Sequence, residues 1–167
     1  IYDTTLRDGM QGSGISYTLE DKLAIARQLD AFGIDYIEGG FPLSNRKEAE
    51  FFRQIREQGL SRSRVAAFGS TRRPNHAAAP DPPIPALLEA GTPTVTVVGK
   101  AWTEHVQQVL RTTPEENLRM IRDSVEVLKA EGREVVFDLE HFFDGYKQDP
   151  GYALAVLRTA GEAGADC

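Results

Sequence analysis

A helix gives way to a strand within the ten residues AFGIDYIEGG (residues 31–40). Gly33 stands where a helix commonly ends in the left-handed conformation, and the β-branched and aromatic residues after it favour a strand. A similar transition recurs in EAGT (residues 89–92) and EAGAD (residues 162–166). Repeated transitions of this kind predict a sheet of parallel strands joined by helical crossovers.

Other local signals extend this pattern along the chain. Thr18 followed by Asp21 is close to a capping box and predicts a helix start. Strands are predicted to begin near Ile1, Ile34, Val65, Thr94 and Glu134, with a sixth starting at Asp166. Further helices are predicted from Asn45, around Ala86, from Thr113-Pro114, and from Asp149-Pro150 with Leu154, Leu157 and Gly161 on one side. The proline-rich stretch 74–85 is predicted to be a surface loop.

Two architectures are compatible with this order, a doubly wound sheet and a (β/α)8 barrel. The first strand is not followed by G-x-G-x-x-G, since Gly12 and Gly14 lack the third glycine. A complete barrel needs about 250 residues. We therefore predict an α/β chain that forms the N-terminal five to five and a half units of a TIM barrel, with residues 1–167 as the truncated N-terminal part of a catalytic domain.

Composition excludes several classes of protein. The chain has 41% hydrophobic and 26% charged residues, which is ordinary globular usage rather than that of a disordered tail or a membrane bundle. Its net charge of −6 and the lack of a basic cluster argue against nucleic acid as a partner. One cysteine, Cys167, fits a reducing compartment. We expect a cytoplasmic protein without a membrane partner, and a piece of a longer one because it does not begin with Met.

Charged residues follow every predicted strand, where a parallel barrel carries its chemistry. They lie in RDGMQ (7–11), EGG (38–40), STR (70–72), GK (99–100) and DLEH (138–141). Arg7 and Asp8 are adjacent, and a direct salt bridge between them is expected to be awkward. Two interpretations are open. Both residues could be ordinary charged residues of a turn, or the Arg7 guanidinium could bind substrate oxygens while the Asp8 carboxylate binds a hard cation.

Glu140 follows an apolar, β-branched run and is expected to be partly buried, which would make it a stronger base. The alternative is a glutamate paired with a neighbouring Arg or Lys. His105 and His76 are expected to be surface residues on loops. Patterns for nucleophilic triads, P-loops and C-x-x-C pairs are absent.

The stretch DTTLRDGMQ (residues 3–11) closely resembles the opening of the metal-dependent TIM-barrel acyltransferases and lyases. This family includes the isopropylmalate, homocitrate and citramalate synthases and the hydroxymethylglutaryl-CoA lyases. YIEGGFP (36–42), FGSTRR (68–73) and EHFFDGY (140–146) are most similar to the citramalate synthases within it. The resemblance implies condensation of acetyl-CoA with pyruvate and hydrolysis of the thioester, on the route to isoleucine.

The resemblance also implies roles for single residues. Asp8 would be a ligand of a divalent metal (Mg²⁺, Mn²⁺ or Zn²⁺), with Gln11 near it, and Arg7 would donate to the keto oxygen. Glu140 would take a proton from the acetyl methyl group. The substrate-binding set implied in addition is Phe68 and Val98, which would line the side-chain pocket of the keto acid, with Thr71, Lys100 and His141.

Other functions stay open at this point. Isopropylmalate and homocitrate synthases differ in the keto acid, a lyase would cleave a C–C bond, and a non-catalytic half barrel would serve assembly. The family completes its metal site with H-x-H or H-x-N on a later strand, which does not occur among His76, His105 and His141. The fragment alone is therefore expected to be inactive, and the full-length protein a homodimer acting on small molecules.

Overall fold

The computed structural model describes all 167 residues, Ile1–Cys167, with five strands and seven α-helices. The strands are β1 (Tyr2–Asp3), β2 (Tyr36–Gly40), β3 (Arg64–Ser70), β4 (Thr94–Lys100) and β5 (Glu134–Glu140). The helices are α1 (Leu19–Phe32), α2 (Arg46–Gln58), α3 (Pro83–Glu89), α4 (Thr103–Gln108), α5 (Pro114–Ala130), α6 (Phe142–Gln148) and α7 (Pro150–Glu162). The first five predicted strand starts each lie within two residues of the observed one.

The strands form one sheet in the order β1-β2-β3-β4-β5. β1 pairs in parallel with β2, and β2 in parallel with β3. Each strand therefore lies beside its neighbour in sequence, as in a β/α barrel. In a doubly wound sheet the order of the strands reverses at a switch point, so that later strands lie on the other side of β1. The observed order has no such reversal, which excludes this alternative.

The helix ends follow the capping signals of the sequence. The Thr18 hydroxyl accepts from the Asp21 N–H at 3.1 Å, and the Asp21 carboxylate accepts from the Thr18 N–H at 2.9 Å, which completes the capping box of α1. The helix ends at Gly33 with φ 93°, a value that favours glycine. Thr113 and Asp149 cap α5 and α7 in the same way, through the N–H groups of residues 116 and 152.

Three expectations about elements were wrong or incomplete. α4 and α6 were not predicted, because neither has a side-chain cap at its start. The side of α7 that holds Leu157 is not the buried one, since Leu157 is 44% exposed while Tyr152 and Val156 are buried. Asp166 and Cys167 do not form a strand, although the Phe137 N–H donates to the Cys167 carbonyl at 2.8 Å, as a sixth strand would begin.

The chain packs as two compact units. Unit 1 comprises residues 1–69 and 86–96, and unit 2 comprises residues 70–85 and 97–167. Fully buried side chains of unit 1 include Leu6, Ile37, Phe51, Phe52 and Leu87, and those of unit 2 include Val97, Met120, Ile121, Leu128 and Val135. No helix combines the length and the apolar character needed to cross a membrane.

The end of β2 is irregular, because its register with β3 shifts between Glu38 and Gly40. Glu38 pairs with Ala66 and Gly40 with Ala67, so that Gly39 is the extra residue of a bulge. A Cβ on Gly39 would lie 2.6 Å from the Phe51 ring, which explains why this position has no side chain. Bulges re-aim side chains at the rims of barrels, and this one lies directly after Glu38.

Candidate active site

The turn after β1 is built by the first motif of the sequence. The Asp3 carboxylate accepts from the Thr5 N–H at 3.0 Å and from the Thr5 hydroxyl at 3.1 Å. The Thr4 carbonyl accepts from the N–H groups of Arg7 and Gly9, at 3.1 and 3.0 Å. With Leu6 fully buried beneath it, this turn fixes the backbone from which Arg7 projects.

Arg7 is held on three sides within unit 1. Its Nε donates to Glu38 Oε2 at 2.8 Å, its Nη1 lies 3.3 Å from Asp8 Oδ1, and its guanidinium carbon lies 4.0 Å from the centre of the Phe68 ring. The Phe41 ring packs edge-on against Phe68. Buried charge pairs and cation–π contacts fix the plane of a guanidinium, so Arg7 presents its remaining N–H donors in one direction.

Glu38 is the buried anchor of this arrangement, because it is only 1% exposed. The Tyr2 hydroxyl lies 3.3 Å from Glu38 Oε1 and also makes a short hydrogen bond to Thr96. Burial, and then the charge of Glu38, raise the pKa of Tyr2 well above its ordinary value. The Tyr2 hydroxyl group therefore keeps its proton at neutral pH and stays available as a hydrogen-bond donor. Sequence analysis placed Glu38 at the rim without a role and missed Tyr2.

The direct contact between Arg7 and Asp8 corrects the expectation that the two residues would not pair. The turn bends the backbone so that the side chains meet at 3.3 Å, yet the Asp8 side chain stays 61% exposed. Asp8 therefore offers carboxylate oxygen to a cation. Divalent cations need about six ligands, and no group of three His, Cys, Asp or Glu side chains could hold an ion. Asp8 could therefore supply one ligand of a divalent cation, and the residues of this chain do not form a complete metal site.

A cavity of about 300 Å³ lies beside Arg7 in unit 1. Its walls combine the Arg7 guanidinium with Met10, Gln11, Phe41 and Phe68. Lys47 and Glu48 line it as well, so charged groups and apolar side chains share the lining. Such a cavity suits a small molecule with an oxygen group at one end and an apolar group at the other.

Glu48, which lines this cavity, belongs to a buried ion pair. Lys22 is fully buried, and its Nζ donates to Glu48 Oε2 at 2.6 Å. Burial lowers the pKa of Lys22, and the partner Glu48 opposes that shift. Gly40 has φ 141°, and a Cβ there would lie 1.8 Å from the Glu48 carboxylate. Glycine at the end of β2 is thus required for the pair to form.

In unit 2, Lys100 and Glu140 end neighbouring strands and form a close ion pair. The Glu140 side chain is 34% exposed, which agrees with the partial burial that the sequence predicted. The Glu140 carbonyl also accepts from the Ala101 N–H at 3.2 Å. Glu140 is thus paired with a lysine, as one interpretation of the sequence expected, and is also partly buried, as the other expected.

A buried amide supports the end of β4. Asn117 is fully buried, and its Nδ2 donates to the Lys100 carbonyl at 2.8 Å and to the Tyr152 hydroxyl at 2.7 Å. Burial raises the pKa of Tyr152 to about 12. These bonds tie the backbone of Lys100 to α5 and α7, which sets the position from which the lysine reaches Glu140.

The loop after β3 is held by a second charge network of unit 2. Arg72 is 4% exposed and donates to Glu116 Oε1 at 2.7 Å and to Asp123 Oδ2 at 2.8 Å. The Thr71 N–H lies 3.4 Å from the Val98 carbonyl, and Thr71 is buried. Thr71 and Val98, two of the predicted substrate-binding residues, are thus neighbours along the backbone.

His105 corrects an expectation, since it is neither on a loop nor isolated. It lies in α4, with its ring 4.6 Å from Trp102 and 4.7 Å from His141 between centres. Its Nδ1 is buried without a hydrogen-bond partner. His141 adopts φ 55° between β5 and α6, which turns its side chain toward this cluster. His76 is exposed on a loop, as expected.

The predicted residues therefore fall into two groups. Unit 1 brings together Arg7, Asp8, Gln11 and Phe68, and unit 2 contains Thr71, Val98, Lys100, Glu140 and His141. The pairing partners Glu38, Asn117 and Trp102 were not predicted as site residues. The signal available in the sequence for Glu38 was a charged residue within a strand, followed directly by Gly-Gly.

Comparison with known proteins agrees with the fold described above. The HMGL-like family model matches residues 1–167. The (R)-citramalate synthase of Aquifex aeolicus is 54% identical over 166 residues, which are 99% of this chain and 31% of that protein. A probable 2-isopropylmalate synthase of Ignicoccus hospitalis is 38% identical over 99% of this chain and 39% of that protein. The chain thus spans about a third of the length of these relatives.

The crystal structure of hydroxymethylglutaryl-CoA lyase from Pseudomonas aeruginosa superposes with a TM-score of 0.76 at 23% identity, covering 98% of this chain and 54% of that one. This match confirms the predicted fold, the N-terminal β/α units of a TIM barrel. The resemblance seen in the motifs is confirmed as well. Because the family model covers every residue, the chain belongs to the HMGL-like family.

Proposed function

We propose that the full gene product carrying this chain condenses acetyl-CoA with pyruvate and hydrolyses the thioester. Acetyl-CoA, pyruvate and water give (R)-citramalate, CoA and a proton. The identity of 54% to a relative named (R)-citramalate synthase, against 38% to one named for 2-isopropylmalate, supports pyruvate as the keto acid. The apolar walls of the cavity beside Arg7 are compatible with its methyl group.

The observation that carries the proposal is the fixed guanidinium of Arg7. Glu38, Asp8 and Phe68 hold three sides of it, and Nη2 makes no hydrogen bond. A donor fixed in advance stabilises negative charge that develops on a substrate oxygen. We assign Arg7 to the keto oxygen, which becomes an alkoxide as the new C–C bond forms.

We assign the proton removal to Glu140. Its carboxylate would take a proton from the acetyl methyl group, the resulting carbon nucleophile would attack the keto carbon, and the alkoxide formed there would take up a proton to become the hydroxyl group of citramalate. Water then attacks the thioester carbonyl, and the thiol leaves with a proton. Lys100, paired with Glu140, would hold the carboxylate in place during the first step.

Asp8 would contribute one ligand to a divalent cation, which would polarise the keto group when bound. Gln11 lines the same cavity and would donate to the carboxylate of the keto acid. Phe68 and Val98 are assigned to its side chain, and Thr71 and His141 to the remaining substrate contacts. Each of these assignments rests on the resemblance together with the positions described above.

We further propose that the reaction serves isoleucine synthesis in the cytoplasm and that the full gene product is a homodimer. The net charge of −6 supports small molecules rather than nucleic acid as partners. The size of an eluted complex on a calibrated column tests the dimer.

A substrate panel tests the proposed function. The full gene product is assayed for CoA release from acetyl-CoA with pyruvate, 2-ketoisovalerate or 2-oxoglutarate, and for cleavage of hydroxymethylglutaryl-CoA. We expect pyruvate to give a kcat/KM at least about tenfold above the other keto acids, as one or two methylene groups allow. Preference for another keto acid, or cleavage of the lyase substrate, would replace the proposal by the corresponding activity.

A further inference from the structure

Unit 1 contains a second cavity, a groove of about 600 Å³ between α2 and α3. Its apolar lining includes Leu43, Ala49, Phe52 and Ala86. Arg46, Arg53 and Arg56 line it as well. Together with Ala49 they recur at intervals of three or four residues, so they share one face of α2. Glu89 lines the groove from α3, so an apolar surface is combined with three arginines and one carboxylate in a chain whose net charge is −6.

Two of these arginines have no internal partner. Arg53 is neutralised by Glu50 and Glu57, to which its Nε and Nη1 donate at 2.9 and 2.7 Å. Arg46 and Arg56 make no hydrogen bond or ion pair and are exposed. Arg46 also lies in the first turn of α2, where the helix dipole disfavours a cation. Unpaired guanidinium groups beside an apolar surface complement a ligand that is anionic at one end.

The groove adjoins the cavity that contains Arg7. Asn45 lines both cavities, and Phe41 of the first cavity is followed directly by Pro42 and Leu43 of the groove. A long ligand could therefore occupy the groove with one end and reach the cavity with the other. Along α2 the backbone rises about 1.5 Å per residue, which separates the Cα atoms of Arg46 and Arg56 by about 15 Å.

We propose that this groove binds the 3′-phospho-ADP end of the acyl-CoA substrate, with the pantetheine chain passing Asn45 toward the cavity of Arg7. Arg46 and Arg56 bind the phosphates, for which the fork geometry of guanidinium groups is suited. The apolar lining contacts the adenosine. The assignment of acyl-CoA rests on the proposed function, while the preference for a phosphorylated, partly apolar ligand rests on the groove itself.

The test uses the full gene product and calorimetric titration with CoA and with adenosine 3′,5′-bisphosphate. R46Q and R56Q should each weaken the binding of both compounds about tenfold, the effect of losing one charged hydrogen bond. R27Q is the matched control, because Arg27 is an exposed arginine of the same unit that lies outside the groove and bonds only to the neutral Gln58. It should bind both compounds like the wild type.

A kinetic measurement distinguishes the contribution of the nucleotide phosphates from that of the rest of the substrate. The KM for acetyl-CoA should rise about tenfold in R46Q and R56Q, whereas the KM for acetyl-pantetheine, which lacks the nucleotide, should stay that of the wild type. Wild-type affinity of the R46Q/R56Q double variant for CoA would overturn the groove assignment. If the wild type binds CoA in an Arg46- and Arg56-dependent manner but makes no citramalate, the proposed function fails and the groove assignment stands.

Discussion

The side chain of Arg7 owes its position to residues far away in the sequence. Glu38, 31 residues later, supplies a carboxylate that is almost fully buried, and Phe68 supplies the ring beneath the guanidinium. Tyr2 adds a hydroxyl on the opposite oxygen of Glu38. Removing one partner of such a pair leaves a buried charge uncompensated. The geometry of Arg7 is therefore a property of unit 1 and not of the turn alone.

Glu140 gives the first prediction at this scale. E140Q keeps the volume of the side chain and removes the base, so the rate of condensation should fall by about 10²–10⁴. Binding of pyruvate should change little. The direct measurement is the exchange of deuterium from solvent into the acetyl methyl group of acetyl-CoA by the full gene product. Exchange at the wild-type rate in E140Q would assign the base to another residue, with His141 as the first to examine.

Among the elements, the end of β2 shows how a single glycine supports a buried ion pair. Gly40 leaves room for Glu48, which in turn holds the fully buried Lys22. G40A should push the carboxylate away from the lysine and cost about 3 kcal/mol or more in the free energy of unfolding. Denaturant unfolding of the full gene product measures this cost.

The matched control for G40A is G59A. Gly59 also has a positive φ, 71°, but no atom lies within 4 Å of its added Cβ. Its substitution therefore reports the backbone strain alone, about 1–3 kcal/mol. Equal costs for G40A and G59A would mean that the contact with Glu48 is not what requires glycine.

The start of α5 gives a prediction about acid stability. Burial would raise the pKa of Glu116, but hydrogen bonds from Arg72, the Asn75 N–H and Arg119 outweigh it and lower the pKa to about 2. A carboxyl whose pKa is lower in the folded state stabilises the fold above its unfolded pKa, near 4.5. This contribution is lost as the pH falls from about 4.5 to about 2.

E116Q removes that titration. Unfolding free energies at pH 7 should drop by about 1–3 kcal/mol, because the buried Arg72 loses one of its two carboxylate partners and keeps only Asp123. The difference between wild type and variant should shrink as the pH is lowered through the same window. Denaturant titrations at several pH values measure it, and a difference that stays constant down to pH 2 would contradict the account.

For the molecule as a whole, the fold was largely predictable and the pairing of charges was not. β-branched runs and helix-ending glycines are local signals, which is why the strand starts were placed within two residues. The ends of strands were correctly seen to carry charge. Which charges meet depends on strand neighbours, as in Arg7 with Glu38 and Lys100 with Glu140, 31 and 40 residues apart. No spacing in one sequence contains that information.

Short elements and aromatic clusters were missed for the same physical reason. Trp102 precedes α4 and His141 precedes α6, and neither side chain caps its helix, so tertiary contacts and not local bonds define where these helices start. His105 was predicted to be a surface residue on a loop, whereas its ring packs on Trp102, three residues earlier, and on His141 from another segment.

Metal binding is a prediction for the complete molecule, because Asp8 supplies a single carboxylate. D8N in the full gene product should weaken Mg²⁺ or Mn²⁺ binding about tenfold or more, since a charged oxygen ligand becomes neutral. D144N is the control, an exposed carboxylate that makes only a 3.5 Å contact to His141 and a 3.8 Å contact to Lys147. Calorimetric titration with each ion gives the affinities, and equal affinities in D8N and wild type would place the ion elsewhere.

The central claim is that Arg7 stabilises the oxygen of pyruvate while acetyl-CoA is joined to it. The most direct measurement is the simultaneous rate of CoA release and citramalate formation by the full gene product and by R7K, which keeps the charge and loses the fork. We predict one citramalate per CoA in the wild type and a rate lowered by about 10²–10³ in R7K. CoA release without citramalate, or wild-type turnover in R7K, would contradict the account.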